Sequence, residues 1–254
     1  MRARTSRGWT AFLRGVRALQ AAGIAALGVT DRQDNPANPV LLSTPAGQIA
    51  VLRYTVKASD GSQKRLKKDG NAWALPIAET EAMRADIAAA RSRGAMLVLV
   101  MLDQSGATKK AAPTQSQISM AQTAADAGAD VVIGTGSLSV QPVQMLTGAD
   151  GRQVLCAYSL GRLLSDDRSD AGVGSLLLHI EATVDNGSAR LTAVTYTPTY
   201  IWREKQDGQT RYRVLPANQP APDGMKQDQQ KAMTDALKRV QGILSGGPAV
   251  MRVP

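Results

Sequence analysis

The sequence predicts an α/β fold with a second half rich in β-hairpins, and three observations carry that prediction. Between residues 78 and 133, stretches of helical periodicity alternate with short apolar runs, the grammar of a layered α/β domain. The run AMLVLVML, residues 95–102, is apolar throughout, as in a strand covered on both faces. From residue 142 onward, turn signals such as Asp185-Asn186-Gly187 and Asp207-Gly208 separate strand-like segments.

Composition bounds the size of the core and the class of partner. The chain has 254 residues, 43% of them hydrophobic, enough for a sizeable core, and we read residues 1–254 as a single domain. Aromatic residues are only 4%, so Ala, Val, Leu, Ile and Met must build that core. The 30 basic and 21 acidic residues give a net charge of +9, which favours polyanions or anionic surfaces as partners.

The elements are expected in chain order from an opening helix. Phe12, Val16 and Leu19 mark an amphipathic helix ending near Gly23, followed by a short strand around Ile24 to Val29. This basic and then apolar opening superficially resembles a targeting segment, but Arg14 and Arg17 interrupt it, so it is read as part of the fold. No apolar run reaches the roughly 18 residues of a helical membrane span. Strands come next at 39–43 and 48–55 around the turn TPAG, then a loop with Lys64, Arg65, Lys67 and Lys68, read as solvated with an anion-binding patch as the alternative. A helix over 78–93 carries Met83, Ile87 and Ala90 on one face and stops at Gly94, before the 95–102 strand.

A second helix, 115–127, has Thr114 as N-cap with Gln117 at the capping-box position, and leads to a strand at Val131–Ile133. The remainder reads as strands around ADGR, a hairpin of 173–184 with 188–198, a further hairpin around Asp207-Gly208, and a terminal helix at 224–245. Met225, Met233, Leu237, Val240 and Leu244 form its buried stripe.

Few residues suggest chemistry on their own. The single cysteine, Cys156, excludes an internal disulfide and a multi-cysteine metal site, and its apolar run makes it a core thiol. The single histidine, His179, lies in a strand-like stretch, and nothing local pairs it with Cys156. Asp166, Asp167, Arg168 and Asp170 read as a solvated loop rather than a cation site. The loop Gly134, Thr135, Gly136, Ser137 comes after a buried strand, where α/β sheets usually keep their chemistry.

Several phrases run in one order over nearly the whole chain: GWTAFLRGVRALQAAGIAALGV, GQIAVLRYT, ADIAAARSRGAMLVLVML, PTQSQISMAQTAADAGADVVIGTGSLSVQPVQ, VLCAYSLG and TPTYIWREKQDGQTRYRVLP. They resemble the CapA family of capsule-synthesis proteins, associated with poly-γ-glutamate, whose domain is similar to the calcineurin-like metallophosphoesterases. The resemblance implies a layered α/β/β/α sandwich of the metallophosphoesterase type, with a β-hairpin-rich C-terminal half. It also implies a role in capsule biosynthesis or export, an anionic polymer such as polyglutamate as partner, contact with capsule-synthesis membrane proteins, and a place in the cell envelope. No nucleic acid is expected. Family members begin with a strand, an Asp-bearing loop and an Asn-His loop, and this chain opens with the helix that comes after them, so a domain truncated at its N-terminus is expected.

The positions that carry family chemistry depart from the pattern. Where the family has His-Trp-Gly and then Glu, this chain has Gln104, Ser105, Gly106 and Thr108. Where it has Gly-x-His-Pro-His, this chain has Gly134, Thr135, Gly136, Ser137 and Leu138. Arg162 replaces the Asn after Tyr158, Ser159, Leu160 and Gly161. Gly and Leu carry no donor atom for a cation, while Thr, Ser and Gln are weak neutral ligands, so no metal of the family kind and no other cofactor is expected. The small loop is then first a tight turn and second a backbone-amide anion site at Gly134, Thr135 and Gly136, assisted by Lys109, Lys110 and Arg162.

Three functions are compatible with these residues. The first is a capsule-biogenesis protein that holds an anionic polymer without catalysis. The second is a metal-dependent phosphoesterase or hydrolase, which rests on fold analogy. The third is a truncated remnant whose use is a partner-binding surface.

Overall fold

The computed structural model of the chain describes residues 9–33, 39–56, 64, 66–104, 109–167, 169, 172–185, 187–247 and 251–252. The elements are α1 (Trp9–Ala21), β1 (Val40–Thr44), β2 (Gly47–Thr55), a 3-10 turn (Ala72–Ala74), α2 (Thr80–Ser92), β3 (Ala95–Asp103), α3 (Gln115–Asp126), β4 (Val131–Thr135), β5 (Val143–Thr147) and β6 (Gln153–Ala157). They continue with β7 (Gly174–Asp185), β8 (Ser188–Gln206), β9 (Gln209–Pro216), α4 (Gln227–Leu244) and β10 (Met251–Arg252). The expected α/β class is observed: one mixed six-stranded sheet has the order β1-β2-β3-β4-β6-β5, and in a second sheet β8 pairs with β7, β9 and β10.

The chain divides into two compact units. The first comprises Met1–Ser105, Gln122–Val132 and Thr147–Val154. Here β2 is antiparallel to β1 and parallel to β3, in a register running from Ile49 opposite Leu97 to Thr55 opposite Asp103. Ala50, Leu52 and Tyr54 of β2 and Val98, Val100 and Leu102 of β3 are almost wholly buried, and α2 adds Met83, Ile87 and Ala90. Burying such aliphatic side chains is the main stabilising contribution here. Gly94, at φ +87°, ends the helical segment in a conformation that side chains resist.

The opening helix belongs to this unit. Trp9 stacks on Phe12 and meets Trp73 edge-on, with ring centroids 5.2 and 5.6 Å apart, and Val16 is buried. The strand expected around residues 24–29 does not form. Gly23 and Gly28 both have positive φ, which breaks the extended path, and Ile24 is left exposed.

The second unit comprises Gly106–Ala121, Ile133–Leu146 and Leu155–Pro254. The two expected hairpins share one 19-residue strand, β8, instead of breaking at residue 198. Its first part pairs with β7, from Asp185 opposite Ser188 to Gly174 opposite Tyr200, and its last part pairs with β9. Pro198 sits inside this strand, and its carbonyl accepts a hydrogen bond from the Ala217 amide. The terminal helix α4 packs Met233 and Ala236 against Tyr200, Trp202, Ala217 and Met225. Trp202 donates its indole N–H to Gln229, whose own amide donates to the Arg203 carbonyl, so the helix is tied to β8 by polar as well as apolar contacts.

Candidate functional site

β4 runs two residues beyond the strand expected at Val131–Ile133, so Gly134 and Thr135 belong to the strand and the loop begins at Gly136. Gly134 is buried, and a Cβ there would overlap the carbonyl oxygen of Tyr158. Glycine is therefore required by close backbone approach, whatever the loop does. Gly136 comes next at φ +100°, a conformation open to glycine and strained for other residues.

Beyond Gly136 the chain turns inward. Ser137 donates its hydroxyl to the Ser139 carbonyl at 3.1 Å and accepts the Ser139 amide at 3.2 Å. Ser139 donates its hydroxyl to the Val140 carbonyl at 3.0 Å. Both serines are about 3% exposed, so these local bonds satisfy polar groups that water cannot reach. Leu138 lies between them and is 5% exposed, packed as a core residue.

The next buried feature is a pair of glutamines. Gln141 has no exposed surface and Gln117 has 5%. Gln117 donates its amide to Gln141 Oε1 at 2.6 Å, while Gln141 donates to the carbonyls of Lys110 and Ala112 at 3.2 Å. Gln117 Oε1 accepts the Thr114 amide at 3.0 Å, and Thr114 Oγ1 accepts the Gln117 amide at 3.3 Å, the reciprocal pattern of a capping box. The expected N-terminus of α3 is thus observed. Sequence reasoning misses the partner of Gln117 across the loop; the only signal is a glutamine flanked by apolar residues in LSVQPVQ.

Burial decides the role of the cysteine. Cys156 is fully buried, and burial pushes its thiol up to about 12, too high for a nucleophile at neutral pH. The Tyr158 phenol is also raised to about 12, first by burial and then by Cys156, and accepts a hydrogen bond from Gln144 at 2.8 Å. His179 is exposed on β7 and bonds Thr197 at 3.1 Å, so the structure does not bring it to Cys156. Lys109 and Lys110 are exposed, and Arg162 is half-buried. Lys109 pairs with Asp167 at 3.3 Å. Hydrogen bonds from Ser169, reinforced by Lys109, hold the Asp167 carboxyl at about 2. That acid is therefore a tether for its loop as well as a member of an acidic run.

Of the positions aligned with family ligands, Ser105, Gly106 and Thr108 lie outside the described residues. Gln104 is half-buried at the end of β3, in the first unit. Its neighbour Asp103 is ion-paired with Arg53, so that carboxylate is already engaged. In the second unit Gly136 offers no side chain, and Leu138 offers a hydrocarbon buried in the core. None of Gln104, Gly136 and Leu138 supplies an imidazole or a carboxylate, the side chains on which a cation of the metallophosphoesterase kind chiefly relies.

Comparison with known families matches residues 5–167 to Bacterial capsule synthesis protein PGA_cap. The match bears out the resemblance read from sequence and ends before β7. A comparison with curated proteins finds no match. Among the described residues, no helix is long and apolar enough to cross a membrane.

Proposed function

The chain belongs to the bacterial capsule synthesis protein family PGA_cap, and from that premise we propose that it serves capsule synthesis by holding an anionic polymer, without catalysis of its own. One observation carries the second half of this reading. The position where the family resemblance places a ligating histidine is Leu138, a side chain with no donor atom and 5% exposure. Gly136 beside it supplies no ligand either.

Binding of polyglutamate is supported by charge. The chain carries +9, with Lys109 and Lys110 exposed and Arg162 making no ion pair among the described residues. A backbone-amide contribution to holding an anion would come from the turn at Gly136, which stands at φ +100° just past the end of β4. A polymer with one carboxylate per unit gains from many weak contacts, and such contacts weaken as salt screens them. We propose the cell envelope as its place and capsule-synthesis membrane proteins as its partners; the capsule-synthesis family supports the envelope role.

The test is titration of labelled poly-γ-glutamate with the whole chain at increasing salt. Affinity should fall steeply with ionic strength, and Lys109→Glu with Arg162→Glu should weaken it by roughly ten-fold or more at low salt. Absence of affinity at low salt would sink the reading. A parallel assay with divalent cations and a chromogenic phosphodiester should show no turnover; metal-dependent turnover abolished by Asp103→Ala or Gln104→Ala would establish a hydrolase instead.

A further inference from the structure

The outer edge of β7 is built to accept another strand. Among the described residues β7 pairs only with β8, so one of its edges carries no strand. The direction of its backbone groups can be worked out. The Leu176 amide donates to the Leu160 carbonyl at 3.0 Å, away from β8. In an antiparallel ladder alternate residues turn both backbone groups to the same side. Leu178, Ile180, Ala182 and Val184 therefore aim their N–H and C=O groups at the unpaired edge. The one irregularity in the β7–β8 register, between Glu181 and Ala182, places the extra residue, Thr192, on β8 and leaves the alternation of β7 intact.

Edges like this are usually protected by lysine, proline, a bulge or a covering element. The segment GSLLLHIEATVD contains no Lys, Arg or Pro, and its bulge lies on the neighbouring strand. It also leaves Leu177 41% and Val184 40% exposed. Aliphatic and β-branched residues over most of its length favour strand pairing.

We propose that this edge pairs with the same edge of a second copy of the chain, antiparallel and centred on Ile180. The sequence is self-complementary about that point. Leu178 falls opposite Ala182 of the second copy and Ile180 opposite Ile180, and these are the residues whose backbone groups face outward. His179 falls opposite Glu181, twice by symmetry, a favourable pairing at the closer, non-hydrogen-bonded positions. His179 uses Nε2 toward Thr197, leaving Nδ1 for the carboxylate. Moving the centre by one residue in either direction would set Glu181 opposite Glu181 or His179 opposite His179, so charge selects the register.

Sedimentation of the whole chain over a range of concentrations tests this, and the expected result is a reversible dimer. Ile180→Pro removes an amide that β8 does not use, and should weaken association roughly ten-fold or more while circular dichroism stays that of the native chain. Should that variant fail to fold, the exposed position 179 supplies the reading. His179→Glu should weaken the dimer roughly three- to thirty-fold through two like-charge pairs, and adding Glu181→Lys should restore it. A chain that stays monomeric at the highest concentration, as it would if some other partner normally covered the edge, overturns the proposal. So does a dimer indifferent to both the position-180 and the position-179 changes.

Discussion

The two ends of β4 solve the same problem with different chemistry. Just before the strand, Asp130 accepts the Val98 amide at 2.6 Å, Arg91 at 2.7 Å and Arg152 at 2.9 Å. Just after it, the buried groups are neutral: two serines bonded to their own loop, and Gln141 bridging Gln117 to the carbonyls of Lys110 and Ala112. The Asp130 network holds a charge only 13% exposed by surrounding it with cationic and amide donors. The other end, where the family resemblance places metal ligands, contains no charged side chain from Gly134 to Gln141. Charge lies where it fastens strands and helix ends, and the stretch from Gly134 to Gln141 holds its buried polar groups with neutral partners.

Removing the charged centre should have the largest effect. Asp130→Ala leaves Arg91 and Arg152 without their carboxylate and the Val98 amide without its acceptor. Breaking a buried pair costs several kcal/mol, and partial exposure of both arginines reduces that to about 2–3 kcal/mol. Urea denaturation with an unchanged slope would measure it. A loss well under 1 kcal/mol would mean that water replaces the network easily, and the contrast between the two ends would lose its energetic basis.

The neutral end should respond less. Gln141→Leu removes the donor to two carbonyls and the acceptor of Gln117, but Gln117 keeps a weaker contact with the Tyr158 carbonyl at 3.4 Å, and the leucine is itself buried. The expected cost is about 1–2 kcal/mol. Gln117→Leu combined with Gln141→Leu should cost less than the two single changes added together, since each alone strands the other amide. Equal or larger loss than in Asp130→Ala would show that the loop after β4, not the charge cluster, is the more strongly held end.

Much of the fold is legible in the sequence for physical reasons. Local signals survive folding: the Thr114–Gln117 cap, the stop at Gly94 and the Met83-Ile87-Ala90 face are all observed because each depends on neighbours a few residues away. Long-range polar contacts are not legible. Gln117 with Gln141, and Asp130 with Arg91 and Arg152, join residues 22 to 39 positions apart, and no spacing rule points from one to the other. The apolar run at residues 24–29 reads as a strand only while Gly23 before it and Gly28 within it, both used at positive φ, are given too little weight. At the candidate site, the residue types are legible as poor ligands, but the burial of Leu138 and the close approach of Gly134 to the Tyr158 carbonyl, just past β6, arise only in the folded chain.

The smallest expected effect belongs to Asp167, and it shows that the loop beyond β6 retains some charge chemistry apart from the two ends of β4. Its pKa is depressed in the folded chain to about 2, from an ordinary value of 3.8, by hydrogen bonds from Ser169 and by Lys109. A depressed carboxylate binds its proton more weakly folded than unfolded, so its stabilising contribution is present above the unfolded pKa. That contribution should fall away as pH drops from about 4 toward 2. Comparing the acid limb of stability for the native chain and Asp167→Asn isolates it, with the variant losing less stability across that window. Because the contact lies at the surface, the difference should be small and should shrink as salt is raised. Identical acid limbs at low salt would mean that neither the Ser169 bonds nor Lys109 holds Asp167 in solution, leaving Lys109 fully available to an anionic partner.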